Sequence, residues 1–270
     1  MSDSSTKRPR IISVANQKGG VGKTTTAINL AAALAERGKK VLVIDLDPQG
    51  NASTGLGIAS STRAITTYDL LVEQVDLNEA IRSTSTDNLF IIPATTDLSS
   101  ADMELFSNDN RSTLLKSALH SPKLHGFGFD YVLIDCPPSL SLLTVNAMVA
   151  SDSVLVPLQS EFFALEGLSQ LMLTIREVRQ TANPKLRIEG IALTMYDQRN
   201  NLSQMVDQDA REHLGDIVFE TRIPRNVRVS EAPSFAQPVL SYDTASKGAK
   251  AYRDLAAEIE NRREQAAQKT

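Results

Sequence analysis

The stretch that decides the fold is Asn16-Gln17-Lys18-Gly19-Gly20-Val21-Gly22-Lys23-Thr24-Thr25. It follows the apolar run Ile11 to Asn16 and leads directly into a segment of helical period, at about Thr24 to Arg37. Three glycines allow backbone N–H groups to turn inward around an anion, and the N-terminus of a helix adds a partial positive charge. The Lys23 ammonium can reach the β- and γ-phosphates of a nucleotide, and the Thr24 hydroxyl can ligate Mg²⁺. We therefore predict a phosphate-binding loop. The alternative is a glycine-rich turn that carries an incidental lysine.

Short apolar runs rich in Val and Ile alternate with longer segments of helical period along the chain. This alternation is typical of a mostly parallel, twisted β-sheet with helices on both faces. The predicted strands are Ile11 to Asn16, Val41 to Asp45, Leu89 to Ala94, Tyr131 to Asp135, Ser153 to Leu158, Ile188 to Met195 and Ile217 to Ile223. The predicted helices lie at about Thr24 to Arg37, Leu142 to Ala150, Glu166 to Thr181, Leu202 to Leu214 and Ala245 to Gln265. We expect a single α/β domain over residues 11–265, with the P-loop NTPase fold, and flexible ends at residues 1–10 and 266–270.

Composition excludes several classes of protein. The chain has 270 residues, of which 41% are hydrophobic and 22% charged, as in a globular protein that can bury a full core. Its one cysteine, Cys136, cannot form an internal disulfide or supply a zinc or iron–sulfur cluster. The formal net charge of -4 is not that of a strongly basic nucleic-acid binder, so any contact with DNA must come from a local patch. The absence of a long apolar run or an apolar leader predicts a cytoplasmic protein.

Carboxylates follow two of the predicted strands. Asp45 and Asp47 leave the end of the second strand two residues apart, which aims them at the same side. Asp135 ends the apolar run Tyr131-Val-Leu-Ile-Asp135, and an acid in that place typically holds Mg²⁺, often through water. The carboxyl edge of such a sheet is where α/β proteins bind ligands. We predict Asp135 as a metal residue; Asp45 could instead only cap the loop that follows it.

The second lysine of the loop, Lys18, indicates a particular family. The string Lys18-Gly-Gly-Val-Gly-Lys-Thr-Thr25 resembles the deviant Walker A motif of the ParA/MinD family of P-loop ATPases, with Gln17 where the strict pattern has glycine. The resemblance implies that Lys18 reaches across a dimer interface to the partner's nucleotide, that Asp47 orients or activates the attacking water, and that Asp45 supports the magnesium shell. The catalytic residues are then Lys18, Lys23 and Asp47, and the metal residues are Thr24, Asp45 and Asp135. The expected ATP-binding residues of the loop are Gln17, Lys18, Gly19, Gly20, Val21, Gly22, Lys23, Thr24 and Thr25.

Two strings nearer the end narrow the resemblance to the chromosomal ParA/Soj partition ATPases. They are Met195-Tyr-Asp-Gln-Arg199-Asn-Asn-Leu202 and Ile223-Pro-Arg-Asn-Val-Arg228-Val-Ser-Glu-Ala-Pro-Ser234. The resemblance implies that Pro224, Arg225 and Asn226 lie beside the adenine, and that Arg199 and Arg228 belong to a DNA-binding face. Lys247 is a further DNA-binding candidate. The alternative is that these basic residues are ordinary solvated or ion-paired side chains.

The function implied by this resemblance is that of a Mg²⁺-dependent ATPase of chromosome or plasmid partitioning. ATP would hold two copies in a homodimer that binds double-stranded DNA without sequence preference, at the nucleoid. A ParB/Spo0J-type centromere-binding protein would stimulate hydrolysis and release, since no arginine finger can be assigned in the chain. No membrane association is expected, because the C-terminal segment lacks a broad apolar face. The alternatives are a positioning ATPase for a protein cargo and, on the same fold, an ATP-dependent small-molecule ligase.

Overall fold

The computed structural model describes residues 8–161 and 164–268. Their strands form one sheet in the order β3-β4-β2-β5-β1-β6-β7-β8. Neighbouring strands run parallel, except that β3 is antiparallel to β4. The strands are β1 (Arg10–Val14), β2 (Val41–Asp45), β3 (Arg82–Ser83), β4 (Leu89–Ile92), β5 (Tyr131–Asp135), β6 (Ser153–Gln159), β7 (Arg187–Tyr196) and β8 (Val218–Pro224).

Helices connect these strands, and the longest are α1, α8, α9 and α12. The α-helices are α1 (Lys23–Glu36), α2 (Asn51–Gly55), α3 (Leu77–Ala80), α4 (Ala101–Glu104), α5 (Leu114–Leu119), α6 (Pro122–Gly126), α7 (Leu142–Ala150), α8 (Ala164–Thr181), α9 (Asn201–Leu214), α10 (Val227–Glu231), α11 (Val239–Tyr242) and α12 (Lys247–Gln268). Short 3₁₀ turns lie at Ser60–Thr62, Thr96–Ser100, Gly215–Ile217 and Ala232–Phe235, and a π-helical turn lies at Asp69–Glu73.

The core has two layers, one on each face of the sheet. Successive strand residues alternate between them: Ile11 packs in one layer and Ile12 in the other. The layer that contains Ile12 is covered by α1 and α12, with Tyr252 fully buried against the sheet. The opposite layer is covered by α7 and α8. The predicted α/β architecture, a mostly parallel sheet with helices on both faces, is therefore confirmed.

The boundaries differ from the sequence prediction at a few places. Strand β3 was not predicted, because two residues are too short to show an alternating pattern. Arg10 belongs to β1 rather than to the predicted N-terminal tail. Helix α12 begins at Lys247 and continues to Gln268, beyond the predicted end at residue 265. Residues 1–7 of the predicted tail, and 269–270 of the predicted C-terminal end, lie outside the described residues.

The sheet topology brings the predicted site to one edge. Strand β1 lies between β5 and β6, and β5 lies between β1 and β2. In the parallel register Asp45 at the end of β2 is the neighbour of Asp135 at the end of β5, and Asp135 is also the neighbour of Val14 at the end of β1. The glycine-rich loop that follows β1 therefore emerges beside both carboxylates, at the edge where α/β sheets bind ligands.

Candidate nucleotide and magnesium site

The glycine-rich loop is held in shape by its backbone conformation and by the side chains of Asn16, two residues after β1, and of Thr194 in β7. Gly20 and Gly22 have φ of 74° and 86°, in the left-handed region that favours glycine. The Asn16 amide donates to the Pro157 carbonyl at 2.7 Å, and its oxygen accepts from the Lys18 N–H at 3.0 Å. The Thr194 hydroxyl donates to the Val21 carbonyl at 2.8 Å. The loop is thus pre-formed.

Helix α1 starts immediately after this loop, with Gly22 at its N-cap position. No side chain caps this helix end. The N–H groups of an uncapped first turn are donors that an anion can satisfy, and the helix dipole favours negative charge there. Gln17, Lys18, Gly19 and Gly20 are exposed along the loop, and Thr24 and Thr25 are partly exposed in the first turn. The predicted phosphate contacts therefore face one accessible site.

Lys23 is buried beneath the loop. Its ammonium donates to the Lys18 carbonyl at 3.0 Å, so the side chain folds back toward the start of the loop. Burial lowers the pKa of Lys23, and the nearby carboxylates of Asp135 and Asp47 partly oppose that shift. A partly desolvated ammonium gains more from a polyphosphate than an exposed one does. Lys23 is therefore placed to bind phosphate.

Lys18 is placed differently, because its side chain lies at the surface. Its ammonium pairs with a carboxylate oxygen of Glu161 at 3.1 Å, and the two side chains are 41% and 51% exposed. An exposed pair of this kind contributes little to stability. Lys18 can consequently exchange Glu161 for a stronger anion at small cost.

Asp135 has the least satisfied side chain of the site. It is fully buried, and neither carboxylate oxygen has a hydrogen-bond partner at normal distance among the described residues. Burial raises the pKa of Asp135 well above its ordinary value, and the charge of Asp45 raises it further; the adjacent Thr24 hydroxyl acts in the opposite direction. A buried carboxylate without a partner is costly unless a cation or a donor compensates it. Its surroundings fit a bound cation.

Asp45 is also fully buried, but its oxygens are engaged. They accept from the Asp47 N–H at 3.1 Å, the Ser53 N–H at 2.8 Å and the Ser53 hydroxyl at 2.7 Å. Burial raises the pKa of Asp45 to about 6. These bonds fix the loop after β2, which is the capping role that the sequence left open. Its predicted support of a magnesium shell stays a prediction.

Asp47 and Ser53 complete this part of the site. Asp47 is 8% exposed, and one of its oxygens accepts from the Gln49 N–H at 3.0 Å. The Ser53 hydroxyl also accepts from the Ala94 N–H at 3.0 Å, so it ties the loop after β2 to the end of β4. Ser53 was not predicted from sequence, since a serine on a five-residue helix, α2, carries no motif. Asp47 keeps an oxygen for a further partner.

The donor set matches a nucleotide-bound Mg²⁺ better than a protein-only metal centre. In the parts of the chain that the structure describes, no three His, Cys, Asp or Glu side chains are grouped to hold a metal. Mg²⁺ typically takes one or two carboxylates, with phosphate oxygens and water for the rest. Thr24 and Asp135 could hold it beside the phosphate loop. Burial raises the pKa of the neighbouring Cys136 thiol, so Cys136 is an inert apolar side chain here.

A cavity of about 380 Å³ lies next to the phosphate loop. Glu161, the partner of Lys18, lines it together with Arg225, Asn200 and Met195. The Arg225 N–H donates to the Tyr196 carbonyl at 3.0 Å, so the segment after β8 is joined to the last residue of β7. Pro224 and Asn226 adjoin Arg225 without lining this cavity. Of the three predicted adenine residues, the structure brings Arg225 to the cavity.

Comparison with known proteins identifies the family of this chain. Residues 9–188 match the AAA domain family. The chain is 56% identical over 253 residues to the chromosome partitioning protein ParA of Caulobacter vibrioides, covering 94% of each protein. It is 51% identical over 250 residues to the sporulation initiation inhibitor protein Soj of Bacillus subtilis, covering 93% of this chain and 98% of Soj. This chain belongs to the ParA/Soj family of chromosome-partitioning ATPases.

Solved structures place the ParA/Soj fold among related nucleotide-binding proteins. A cobyrinic acid a,c-diamide synthase from Mycobacterium smegmatis, with bound ADP and magnesium, is 38% identical with a TM-score of 0.80, covering 92% of this chain and 93% of that one. The cell division ATPase MinD of Pyrococcus furiosus is 30% identical with a TM-score of 0.76, covering 93% and 98%. Within the described ranges, no helix of this ParA/Soj protein combines the length and apolar content needed to span a bilayer.

The predicted DNA-binding residues of this ParA/Soj chain lie beyond the carboxyl ends of β7 and β8. Arg199 is 90% exposed and pairs with Asp197 at 3.2 Å. Arg228 pairs with Glu231 at 3.0 Å and with Asp243 at 3.3 Å. Ion pairing is the alternative that the sequence left open for Arg199 and Arg228, and the structure identifies their acidic partners.

Lys247 is exposed at the first residue of α12, which packs against α10. The three basic residues of this ParA/Soj protein thus lie near one end of the molecule, with two of them in exposed ion pairs.

Proposed function

We propose that this chain is a Mg²⁺-dependent ATPase whose ATP-bound homodimer binds DNA without sequence preference and releases it after hydrolysis. The partner that stimulates hydrolysis is a ParB/Spo0J-type centromere-binding protein, and the complex acts at the nucleoid of a cytoplasmic partition system. The observation that carries the proposal is the juxtaposition of a pre-formed phosphate loop with the buried, unpartnered carboxylate of Asp135.

Each residue of the site has a different role in ATP binding and hydrolysis. The loop N–H groups and Lys23 bind the β- and γ-phosphates of ATP, while Thr24 and Asp135 hold Mg²⁺, which supplies charge neutralisation at the phosphates. Asp47 orients the attacking water through its remaining carboxylate oxygen. Asp45, through Ser53, keeps the loop that carries Asp47 in place.

Dimerisation follows from the exposure of Lys18. Among the described residues of one protomer, the partner of the Lys18 ammonium is the exposed Glu161. A triphosphate on a facing protomer offers a much denser negative charge, so ATP stabilises the dimer through Lys18. The described part of the chain offers no arginine assignable to the transition state, so hydrolysis by the protein alone is slow, and the ParB/Spo0J-type protein completes or reorders the site.

DNA binding depends on dimerisation because the predicted DNA-binding residues of one protomer supply few cations. Arg199, Arg228 and Lys247 lie on a protein with a formal net charge of -4, and two of these residues are ion-paired. One copy therefore neutralises few phosphates. Two copies side by side double the number of contacts, which raises affinity steeply. Contacts to phosphate alone carry no sequence information, which makes the binding non-specific.

The test is binding to a mixed-sequence DNA duplex without nucleotide, with ADP and with ATP. The wild type, Asp47→Ala and Arg199→Glu are compared, and dimerisation is followed in parallel by light scattering. Binding should require ATP, persist in Asp47→Ala, and disappear in Arg199→Glu while its dimer survives. A wild-type dimer that ignores DNA at low salt would overturn the proposal.

Two alternatives on the same fold are separated by related measurements. The likeness to a cobyrinic acid a,c-diamide synthase supports a small-molecule ligase as one alternative. ATP turnover that requires a small carboxylate acceptor, without DNA binding, would favour this alternative. A positioning ATPase for a protein cargo would bind its cargo adaptor and would not bind a ParB/Spo0J-type protein. The higher identity to ParA and Soj favours partitioning.

A further inference from the structure

A cavity of about 480 Å³ lies at the end of the molecule opposite the nucleotide site. It is formed by the starts of β1, β6 and β7 and by the end of α12, whereas the phosphate loop follows the carboxyl end of β1. The five residues of β1 separate the two sites by about 15 Å. Five arginines line it together with two acids, and the arginines are Arg8, Arg10, Arg187, Arg262 and Arg263. The cavity is thus distinct from the ATP and DNA sites.

The carboxylates of this cavity are already satisfied within it. Asp152 pairs with Arg8 at 2.9 Å and also accepts from the Ile11 N–H. Glu189, only 3% exposed, accepts from Arg10 and from the Ser153 hydroxyl. Neither acid is available to the remaining arginines.

Two arginines of the cavity keep uncompensated charge. Arg263 donates to the Tyr131 hydroxyl at 3.3 Å and lies over its ring, and Arg187 is exposed. Within residues 8–161 and 164–268, neither of them forms an ion pair with a carboxylate. Arg262, by contrast, pairs with Glu258 and stacks on Phe219. The site is locally cationic on a protein of net charge -4.

A second concave surface adjoins this cavity at Ile188. This α8 groove is lined by Met172, Ile175, Arg176, Arg179, Gln180, Pro184 and Ile188. Its apolar side chains can hold apolar side chains of a ligand, and its two exposed arginines add positive charge at the rim. Cavity and groove share Ile188 and together form a track with a cationic part in the cavity and an apolar part in the groove.

From this pattern we propose that the track is a docking site for an extended peptide of a partner protein that carries both acidic and apolar residues. Arginine forks bind carboxylates bidentately, and the apolar floor takes the intervening side chains. A DNA backbone would use the arginines and would gain nothing from the apolar floor. The docking is independent of ATP, since no residue of the track belongs to the nucleotide site.

The test is fluorescence anisotropy of a labelled peptide of repeated Asp-Leu-Glu triplets with the full-length protein, with and without ATP. Two control peptides carry Lys in place of the acids or Ser in place of Leu. Arg187→Glu should weaken binding about tenfold or more, because it converts an attraction into a repulsion. Arg82→Glu, the same charge change on the outer strand β3, should leave the affinity unchanged.

Several results would overturn this assignment. One is that the wild type fails to bind the acidic peptide at low salt, and another is that it binds the control peptides equally well. A third is that Arg82→Glu weakens binding as much as Arg187→Glu does. Loss of ATP-dependent DNA binding in Arg187→Glu, with the peptide unaffected, would assign the track to DNA instead. Nucleotide affinity, measured for each variant, shows that the variants remain folded.

Discussion

At the scale of single residues, the buried carboxylates of the site lower the stability of the cation-free protein and favour the binding of a cation. Asp45 and Asp135 are neighbours across β2 and β5, and burial raises the pKa of both. In the absence of a cation, folding therefore forces two acids into surroundings that disfavour their charged forms. The same arrangement is favourable once a divalent cation is bound, because the cation compensates the charge.

This opposition predicts a pH dependence for the nucleotide-free protein. The pKa of Asp45 rises from 3.8 to about 6 on folding, so the folded state holds a proton that the unfolded state has lost between about pH 4 and 6. The free energy of unfolding should therefore fall as the pH rises through this interval, by up to about 3 kcal/mol. Urea titrations of wild type and Asp45→Asn at a series of pH values measure the effect as a difference.

The variant serves as its own control in these titrations. Carboxylates whose pKa is lowered, such as Glu258 and Asp197, act in the opposite direction and are present in both proteins, so they cancel in the difference. The contribution of Asp135 does not cancel, because the charge of Asp45 raises the pKa of Asp135, so the difference measures the buried pair. If the difference between wild type and Asp45→Asn does not change between pH 4 and 6, Asp45 is charged in the folded protein and this account is wrong.

Substitutions of the two lysines of the loop should separate ATP binding from dimerisation. Lys23 is buried in the loop, whereas Lys18 is exposed and pairs with Glu161. We expect Lys23→Ala to abolish ATP binding by the monomer, measured by isothermal titration calorimetry. Lys18→Ala should bind ATP with nearly unchanged affinity and fail to dimerise. Equal loss of ATP affinity in both variants would contradict the division of roles.

At the scale of elements, α10 and α12 pack so closely that a substitution adding one methyl group at their contact should be destabilising. A Cβ added at Gly248 would lie 2.2 Å from a methyl carbon of Val229, so the two helices would have to separate. Gly248→Ala should lower the free energy of unfolding by about 1 to 3 kcal/mol and should weaken DNA binding, because Arg228 lies on α10. Urea denaturation and DNA titration measure the two effects.

Gly167→Ala is the matched control for that substitution. Gly167 lies within α8, and a Cβ there would meet nothing within 4 Å. The substitution should raise the free energy of unfolding by about 0.5 to 1 kcal/mol, since alanine is the better helix former. If Gly248→Ala changes the free energy of unfolding as Gly167→Ala does, α10 does not pack closely on α12 and this prediction is wrong.

The strength of local signals decides which elements the sequence could predict. The central strands β1, β2 and β5 are continuous apolar runs in a parallel sheet, so their positions follow directly from sequence. Their order does not, and it is the order that brings Asp45 beside Asp135. Between β4 and β5, helices of four to six residues, α4 to α6, give too few turns for a helical period to show.

The candidate site shows the same limit. The phosphate loop and its carboxylates could be predicted because motif residues are contiguous in sequence. The Ser53 bond to Asp45 and the pairing of Lys18 with Glu161 join residues that are distant or carry no motif, so only the folded chain reveals them.

At the scale of the whole molecule, the charge balance sets how DNA binding responds to salt. The protein has a net charge of -4, so general attraction to DNA is absent and the contacts of Arg199, Arg228 and Lys247 must carry the binding. A dimer offers six such contacts. The logarithm of the binding constant should then fall with the logarithm of salt concentration with a slope of about -5.

Removing one of the three DNA-binding residues tests the number of contacts that the dimer makes with DNA. Arg199→Ala deletes two contacts per dimer and should reduce the magnitude of the slope by about 2. Fluorescence anisotropy with a labelled duplex, across a salt series with ATP and in an Asp47→Ala background, gives both slopes without hydrolysis. Arg82→Ala, on the outer strand β3, should keep the parent slope. A parent slope near -2 or -3 would mean that a single protomer contacts DNA, and gating of DNA binding by dimerisation would then be wrong.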